Sequence, residues 1–449
     1  PSAGGEYKAI ARRARLNIAA QVAGKETNTS TLNDNIKKLR QMDLNGAPRE
    51  EVMLSYQNRF VLAEKAKNFG EAELAIASQI KMDGLSESER EEAKAKQLWL
   101  FEMQLKFGEA YKTAKTMKFA KLSDADGELK ISMLAELSGH DARPHLRQYL
   151  SKTRDSKGEL AARVKLLKLS SFSVTEWNTQ SKHLSRNPRI FAAAGVEVYA
   201  RSGSKRVMEQ VLANRQARVT ADGLHLLRAR ERKSIETFLA SVPGPLKSDK
   251  GITARVKWLT KADAFANTVI RLGDAWLETG VLNVVARENR RLNEEIIALP
   301  IPKGLKGEQE RVYRKLVAAK VYQYLAKAKK IEAKLEFFMA SERTIQNYEA
   351  DLNAARDARR TLLVSEAKFL ARMTPDAVSR RLERAAARDV DTVRPTAVQA
   401  AIEDVRENPF DLSSIRELRD IEMQRGQDTM VAYLETRIRG LERGGEVKR

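Results

Sequence analysis

The chain has no cysteine and only four histidines among its 449 residues, and each scarcity removes a class of chemistry. Without thiols there are no disulfides, no thiolate nucleophile and none of the cysteine-built structural zinc sites. No apolar run approaches the ~20 residues needed to cross a bilayer. The phosphate-cradling Gly-x-x-x-x-Gly-Lys-Ser/Thr loop, the Gly-x-Gly-x-x-Gly turn, the Gly-x-Ser-x-Gly elbow and the His-Glu-x-x-His pair are all missing. Strand-like alternation is nearly missing as well. Only His140 and His145 lie close together, across a proline loop that offers no evident carboxylate partner, so they read as loop histidines and not as a metal site. Glu87, Glu89, Glu91 and Glu92 suit a helix start, where acidic side chains complement the dipole. The sequence predicts no catalytic residue, no cofactor and no metal.

What is present is a helix-forming chain that repeats itself. Hydrophobic residues make up 42% and charged residues 31%, the balance of a folded chain. The tetrad Phe69-Gly70-Glu71-Ala72 returns as Phe107-Gly108-Glu109-Ala110, 38 residues later, and each copy joins two amphipathic helical stretches. Units of that size cannot bury their apolar faces alone and stack into a continuous core, so the expected fold is an all-α solenoid of antiparallel helical hairpins. Gly70 and Gly108 are expected to supply the left-handed break between the two helices of each hairpin. Ser86 and Glu89 form a capping box at the start of the second hairpin. Residues 6–23 read as a helix with Ile10, Ala14, Ile18 and Val22 on its apolar face and Arg12, Arg13 and Arg15 opposite, and Thr31 caps a helix running to Met42.

The junctions Asn68-Phe69-Gly70-Glu71-Ala72 and Lys106-Phe107-Gly108-Glu109-Ala110 resemble those of tetratricopeptide-like repeats. A third junction follows Asn408-Pro409-Phe410, between Leu412–Gln424 and Met430–Leu441. The resemblance covers about a third of the chain and departs from the family where Phe60 and Leu98 replace a small residue. It implies a superhelix that binds other proteins. The segment Leu299-Pro300-Ile301-Pro302-Lys303-Gly304-Leu305, with Glu310-Arg311-Val312-Tyr313-Arg314 after it, is similar to linkers of envelope-located tetratricopeptide proteins of gliding and predatory bacteria. The expected segments are N-terminal helices (1–48), repeat hairpins (49–140), a basic helical-repeat region (141–242), further helical repeats (246–299), long helices (303–407) and a C-terminal hairpin with a tail (408–449). Val242-Pro243-Gly244-Pro245 reads as a hinge or subdomain boundary. Thr344–Met373 reads as one helix. The start at Pro-Ser-Ala-Gly-Gly, without an initiator Met, is expected of a processed or trimmed chain, which leaves an upstream targeting segment open.

The net charge of +21 is concentrated. Residues 141–260 hold 24 Lys and Arg against 10 Asp and Glu, a net +14. Such a field attracts anionic partners. The candidate binding residues are Arg201, Lys205 and Arg206, around the Ser202-Gly203-Ser204 turn, and Arg228, Arg230, Arg232 and Lys233 on one helix. Phe172, Trp177, Phe191, Phe238 and Trp258 sit at apolar helical positions, so a stacking platform for bases is not expected. The expected function is that of a non-enzymatic scaffold for protein partners. Its basic middle would engage an acidic protein, a cell-wall polymer or lipid headgroups in the periplasm or cell envelope. The alternative is a cytoplasmic nucleic-acid-binding repeat protein, which phosphate neutralisation by the same cations would serve.

Overall fold

The computed structural model describes residues 3–119, 122–246, 249–340, 342–388 and 394–443. Among them are 23 α-helices and no strand. Two helices open the chain, α1 (Ala3–Lys25) and α2 (Thr29–Arg40). Five hairpins follow: α3 (Arg49–Lys65) with α4 (Phe69–Ile80), α5 (Glu87–Met103) with α6 (Phe107–Ala114), α7 (Asp124–Leu137) with α8 (Arg143–Lys152), α9 (Ser156–Leu169) with α10 (Val174–Leu184), and α11 (Pro188–Ser202) with α12 (Lys205–Ala213). After the short α13 (Arg215–Arg218) come the longer α14 (Ala221–Ala240), α15 (Asp249–Ile270), α16 (Ala275–Ile297) and α17 (Glu308–Ala340). They are followed by α18 (Glu342–Ala354), α19 (Asp357–Ala371), α20 (Asp376–Ala387), α21 (Pro395–Glu407), α22 (Leu412–Gln424) and α23 (Asp428–Glu442). Consecutive helices pack on one another, so the fold is all-α and solenoid-like. The chain forms two compact units, Pro1–Ala162 with Asp391–Arg449, and Arg163–Val390. The tail beyond residue 443 and the first two residues lie outside the described part.

One backbone device makes the hairpins. The residue after the first helix crosses to positive φ, at Lys67 (56°), Leu105 (52°), Gly139 (76°), Ser171 (50°, followed by Phe172 at 53°) and Gly203 (64°), positions spaced by 38, 34, 32 and 32 residues. At the first four, the paired bonds of a Schellman motif close the helix. In the first hairpin Lys67 N–H donates to Glu64 O (3.1 Å) and Asn68 N–H to Ala63 O (2.8 Å), and the same pattern recurs with Lys106 N–H to Phe101 O (2.8 Å), His140 N–H to Ala135 O (2.7 Å) and Phe172 N–H to Leu167 O (2.7 Å). Gly203 closes α11 with one bond, to Tyr199 O (2.8 Å). The hairpin repeat thus runs through Ala213, well beyond the two copies that share a tetrad.

The expected glycine break is corrected here. Gly70 and Gly108 lie inside the first turns of α4 and α6, in open space, and the left-handed residues are Lys67 and Leu105. The apolar face of α1 is corrected as well. Ile10 and Ile18 are 61% and 54% exposed, while Leu16, Ala19 and Ala23 are buried. Arg12 and Arg13 are drawn to the packed side, both at 2.8 Å from Glu51 on α3. Asn28, not Thr31, caps α2, accepting from Ser30 and Thr31 N–H. The Ser86–Glu89 capping box is formed.

In the first unit the C-terminal helices return to the repeats. Phe410 reaches Phe69 (6.5 Å) and Trp99 (6.4 Å), and Tyr433 meets Phe107 edge-on at 5.3 Å. Each repeated tetrad therefore receives an aromatic from α21–α23 or its loop. Tyr433 hydroxyl donates to Glu102 O (2.8 Å), which also accepts from Leu105 N–H, and Arg406 Nε donates to Gln104 O (3.2 Å) at the end of α5. The third junction repeats the turn, with Gly426 at φ 70° and Gln427 N–H donating to Glu422 O (3.0 Å).

The second unit is built around α16, whose Val281, Val284, Val285 and Leu292 are buried with residues of α14, α15, α18 and α19. Asn293 Nδ2 donates to Val321 O (3.1 Å) and Arg290 pairs with Glu332 (2.6 Å), which fixes α17 along α16. The Val242–Pro245 break, expected as a hinge, lies inside this unit and is fastened. The fully buried Arg255 donates to Pro243 O (3.1 Å) and Gly244 O while paired with Glu288 (3.2 Å). Thr344–Met373 is two helices, parted at Ala355 and Arg356.

Glycine should act in opposite senses at the turns and beside them. Lys67→Gly relieves a left-handed lysine and raises the stability of the first unit by about 1 kcal/mol, and Gly426→Ala lowers it by about 1–2 kcal/mol. Gly70→Ala, inside a helix and in open space, raises it by roughly 0.5–1 kcal/mol, the reverse of what a turn glycine would give. Urea midpoints of the three variants check the signs.

Candidate functional site

The seven cations expected to bind an anion divide sharply by environment. Helix α14 starts at the Thr220 cap, whose hydroxyl accepts from Gly223 N–H (3.1 Å), and its packing then sorts its own basic residues. Arg228, at 4% exposure, points inward and is corrected out of the candidate set. Its Nε donates to Asp274 Oδ2 (2.8 Å) and its Nη1 to Glu366 Oε1 (2.9 Å), with the Tyr348 ring 5.9 Å away. Arg230 is half-buried against Glu231 (2.8 Å). Arg232 pairs with Glu236 (2.9 Å), donates to Ser365 Oγ (2.7 Å) and covers the Phe369 ring (5.4 Å). Arg201 lies over Phe172 (5.2 Å) between Glu197 (3.8 Å) and Asp357 (3.7 Å). Lys205, Arg206 and Lys233 are exposed and make no ion pair among the described residues. Lys205 and Arg206 also stand on the first turn of α12, where the positive end of the helix dipole adds to their charge.

A second exposed cluster comes from residues that the sequence reading passed over. Asn214 Nδ2 donates to Ser185 O (3.3 Å), which ties the start of α13 to the end of α10. Lys182 and Arg186 of that end, Arg189 on the first turn of α11 and Arg215 of α13 are all exposed and form no ion pair among the described residues. For Lys182, Arg186 and Arg189 the only sequence signal was an absence of acidic residues between 177 and 196.

Beneath the surface of the same unit, α14, α16 and α19 meet through four buried charges. His225 Nδ1 lies 2.9 Å from Glu366 Oε1, Arg228 joins Glu366 to Asp274, and Asp274 also caps α16 by accepting from Leu277 N–H (2.8 Å). Burial works against a charged imidazole. The Glu366 carboxylate at contact and Asp351, 3.9 Å from Nε2, outweigh it and raise the His225 pKa to about 9. Glu366 is pushed up by burial and pulled further down by His225 and Arg228, so its carboxyl stays below the usual range. The Tyr348 phenol is raised by burial and by Glu366. Two basic and two acidic side chains thus face one another in the buried interior. This arrangement is a fastening, because breaking one member leaves a charge uncompensated. A hint of it in the sequence was His225 and Arg228 three residues apart with Leu226 and Leu227 between them.

The remaining histidines are spoken for by neighbours. His145 Nδ1 is 3.1 Å from Glu128, and His140 Nδ1 is 3.0 Å from Ser138 Oγ. Among the described residues no group of three or more His, Cys, Asp and Glu could hold a metal. In the first unit a cavity of about 320 Å³ opens between α3, α4 and α5, lined by Gln57, Asn58, Phe60, Gln79, Glu92 and Lys96. Trp177 and Phe191 stack at 5.0 Å and Phe238 and Trp258 at 5.4 Å, all four buried, so none offers a face to a base. No helix among the described residues is long and apolar enough to cross a membrane. No protein family, curated protein or solved structure matches the chain.

The raised His225 pKa fixes a pH dependence. Its contribution to stability is full below its ordinary value near 6.5 and is lost as pH rises through about 9. The second unit should therefore weaken by on the order of 3 kcal/mol across that window. In His225→Gln that pH slope disappears and the variant is less stable than the parent at pH 6. Denaturation followed by tryptophan fluorescence reads this unit, since Trp177, Trp258 and Trp276 are buried in it.

Proposed function

We propose that this protein is a non-enzymatic, tetratricopeptide-like scaffold whose stacked hairpins hold protein partners and whose basic face engages an acidic one. The observation that carries the reading is the set of exposed cations that form no ion pair among the described residues, Lys182, Arg186, Arg189, Lys205, Arg206 and Arg215. A basic surface kept only for solubility has no need to leave so many charges uncompensated within about forty residues. These charges attract an acidic surface over a range of about 10 Å at ordinary salt. The buried aromatics favour a protein or polymer over single-stranded nucleic acid, which needs stacking faces. The half-open cavity between α3, α4 and α5 suits a partner side chain, because it pairs the amides of Gln57, Asn58 and Gln79 with the Phe60 ring. The envelope as its location rests on the linker resemblance at residues 299–314.

The test is affinity capture of the tagged protein from native lysate, with and without nuclease, washed at about 0.5 M salt, roughly three times physiological ionic strength. The expected result is a defined set of proteins that resists nuclease. The joint substitution Lys182→Glu, Arg186→Glu, Arg189→Glu and Arg215→Glu should release the acidic members of that set and leave the rest. Loss of everything on nuclease treatment would overturn the scaffold reading in favour of nucleic-acid binding.

A further inference from the structure

Helix α17 is 33 residues long and has two working faces, of which the fold uses one. Val321, Ala328 and Leu335, seven residues apart, are buried, with Tyr324, Ile331 and Phe338 packed beside them. On the opposite side of the helix a second heptad runs outward. One row is Val312, Ala319, Ala326 and Ala333, and the other is Leu316, Gln323, Lys330 and Phe337. All eight are exposed, Leu316 at 65% and Phe337 at 85%. Six of the eight are apolar, in the alternating three- and four-residue spacing by which one helix grips another.

The edges of this stripe are predominantly basic, with one exposed acid, Glu336, at its C-terminal end. Lys315 and Lys329 flank it on one side and Lys320 and Lys334 on the other; with Lys330 these five are exposed and form no ion pair among the described residues. The first turns of α17 show what a water-facing helix does, with Glu308–Arg311 (3.5 Å) and Glu310–Arg314 (3.1 Å) pairs along its own surface. From Lys315 to Leu335 that habit stops. The one carboxylate there, Glu332, is turned to Arg290 of α16.

We propose that the outward face of α17 is a docking site for an acidic amphipathic helix of a partner protein, laid along Val312–Phe337 in coiled-coil contact. The alanine row lets a second helix approach closely, Leu316 and Phe337 anchor the two ends, and glutamates at the partner's edges reach the lysines. The contact length is about 38 Å, or about 26 residues of partner helix. A second copy of the chain is disfavoured, because its lysines would face these lysines. A bilayer surface gains little from three alanines and a glutamine at the centre of the stripe. This site lies outside residues 141–260 and stands independently of the acidic-partner reading there.

The test uses a four-heptad peptide with Ala and Leu at its two core positions and Glu at the flanks, titrated into the full chain by fluorescence anisotropy. Controls are the same peptide with Lys for Glu, and vesicles of phosphatidylglycerol. The acidic peptide should bind and gain helical circular dichroism. Lys320→Glu with Lys334→Glu should weaken it about tenfold or more, and Leu316→Ser with Phe337→Ser should do likewise. The charge reversal at Lys182, Arg186, Arg189 and Arg215 should leave it unchanged. All these positions are exposed, so the variants keep the parent's circular dichroism. The proposal is overturned if the acidic peptide fails to bind, if it binds no better than the lysine peptide, or if the serine pair leaves binding intact. It is equally overturned if only vesicles bind, or if α17 proves to be covered by a second copy in sedimentation.

Discussion

A helix that ends must do something with its last carbonyls, and here the same answer is reached again and again. Placing one residue at positive φ returns two N–H groups to those carbonyls and reverses the chain in three residues, at 67, 105, 139 and 171. The pairing of α3 with α4, or α5 with α6, depends on that reversal, and so does the burial of Ala72, Ala75, Ala110 and Ala114 at the close approach of the paired helices. The side chain at the turn is nearly free, as Lys, Leu, Gly and Ser all serve. The energetic penalty of a left-handed lysine or leucine is small beside the apolar surface that the reversal allows to be buried.

Charge is handled by the same logic of position. The chain's excess of positive residues is not one surface. Arg228 and Arg255 are interior fasteners, Arg228 paired with Asp274 and with Glu366 of the distant α19, Arg255 with Glu288 of the next helix. Arg12, Arg13 and Arg59 clamp Glu51 and Glu71 within the first unit. Among the exposed cations that form no ion pair among the described residues are those on the α10–α13 corner and along α17, where few carboxylates stand nearby.

The repetition of Phe-Gly-Glu-Ala was legible because two tetrads happen to match in letters. The turns of the later hairpins were not, since their shared feature is a backbone angle that any of several residues can adopt. Helices Val174–Leu184 and Pro188–Ser202 are marked at their starts by the caps Ser173 and Asn187. Helices α18 and α19 read as one because Ala355-Arg356 carries no turn signal. The glycines misled, being visible and adjacent to the true turn. The binding candidates were chosen by local density of Arg and Lys. Arg228 fails that reasoning because its partners are 46 and 138 residues away, and Arg215 escaped it because its neighbours come from another hairpin.

The clasp between the C-terminal helices and the repeated phenylalanines has a consequence in time. The first compact unit is discontinuous, interrupted by the whole of Arg163–Val390. A ribosome that has just made Phe69, Trp99 and Phe107 must add roughly 300 more residues before Phe410 and Tyr433 exist, a wait on the order of 15–60 s at ordinary elongation rates. During that interval the nascent repeats present an aromatic surface with its cover still unsynthesised, while the inserted unit can fold at once. Birth order therefore makes the earliest-made repeats the last to be completed.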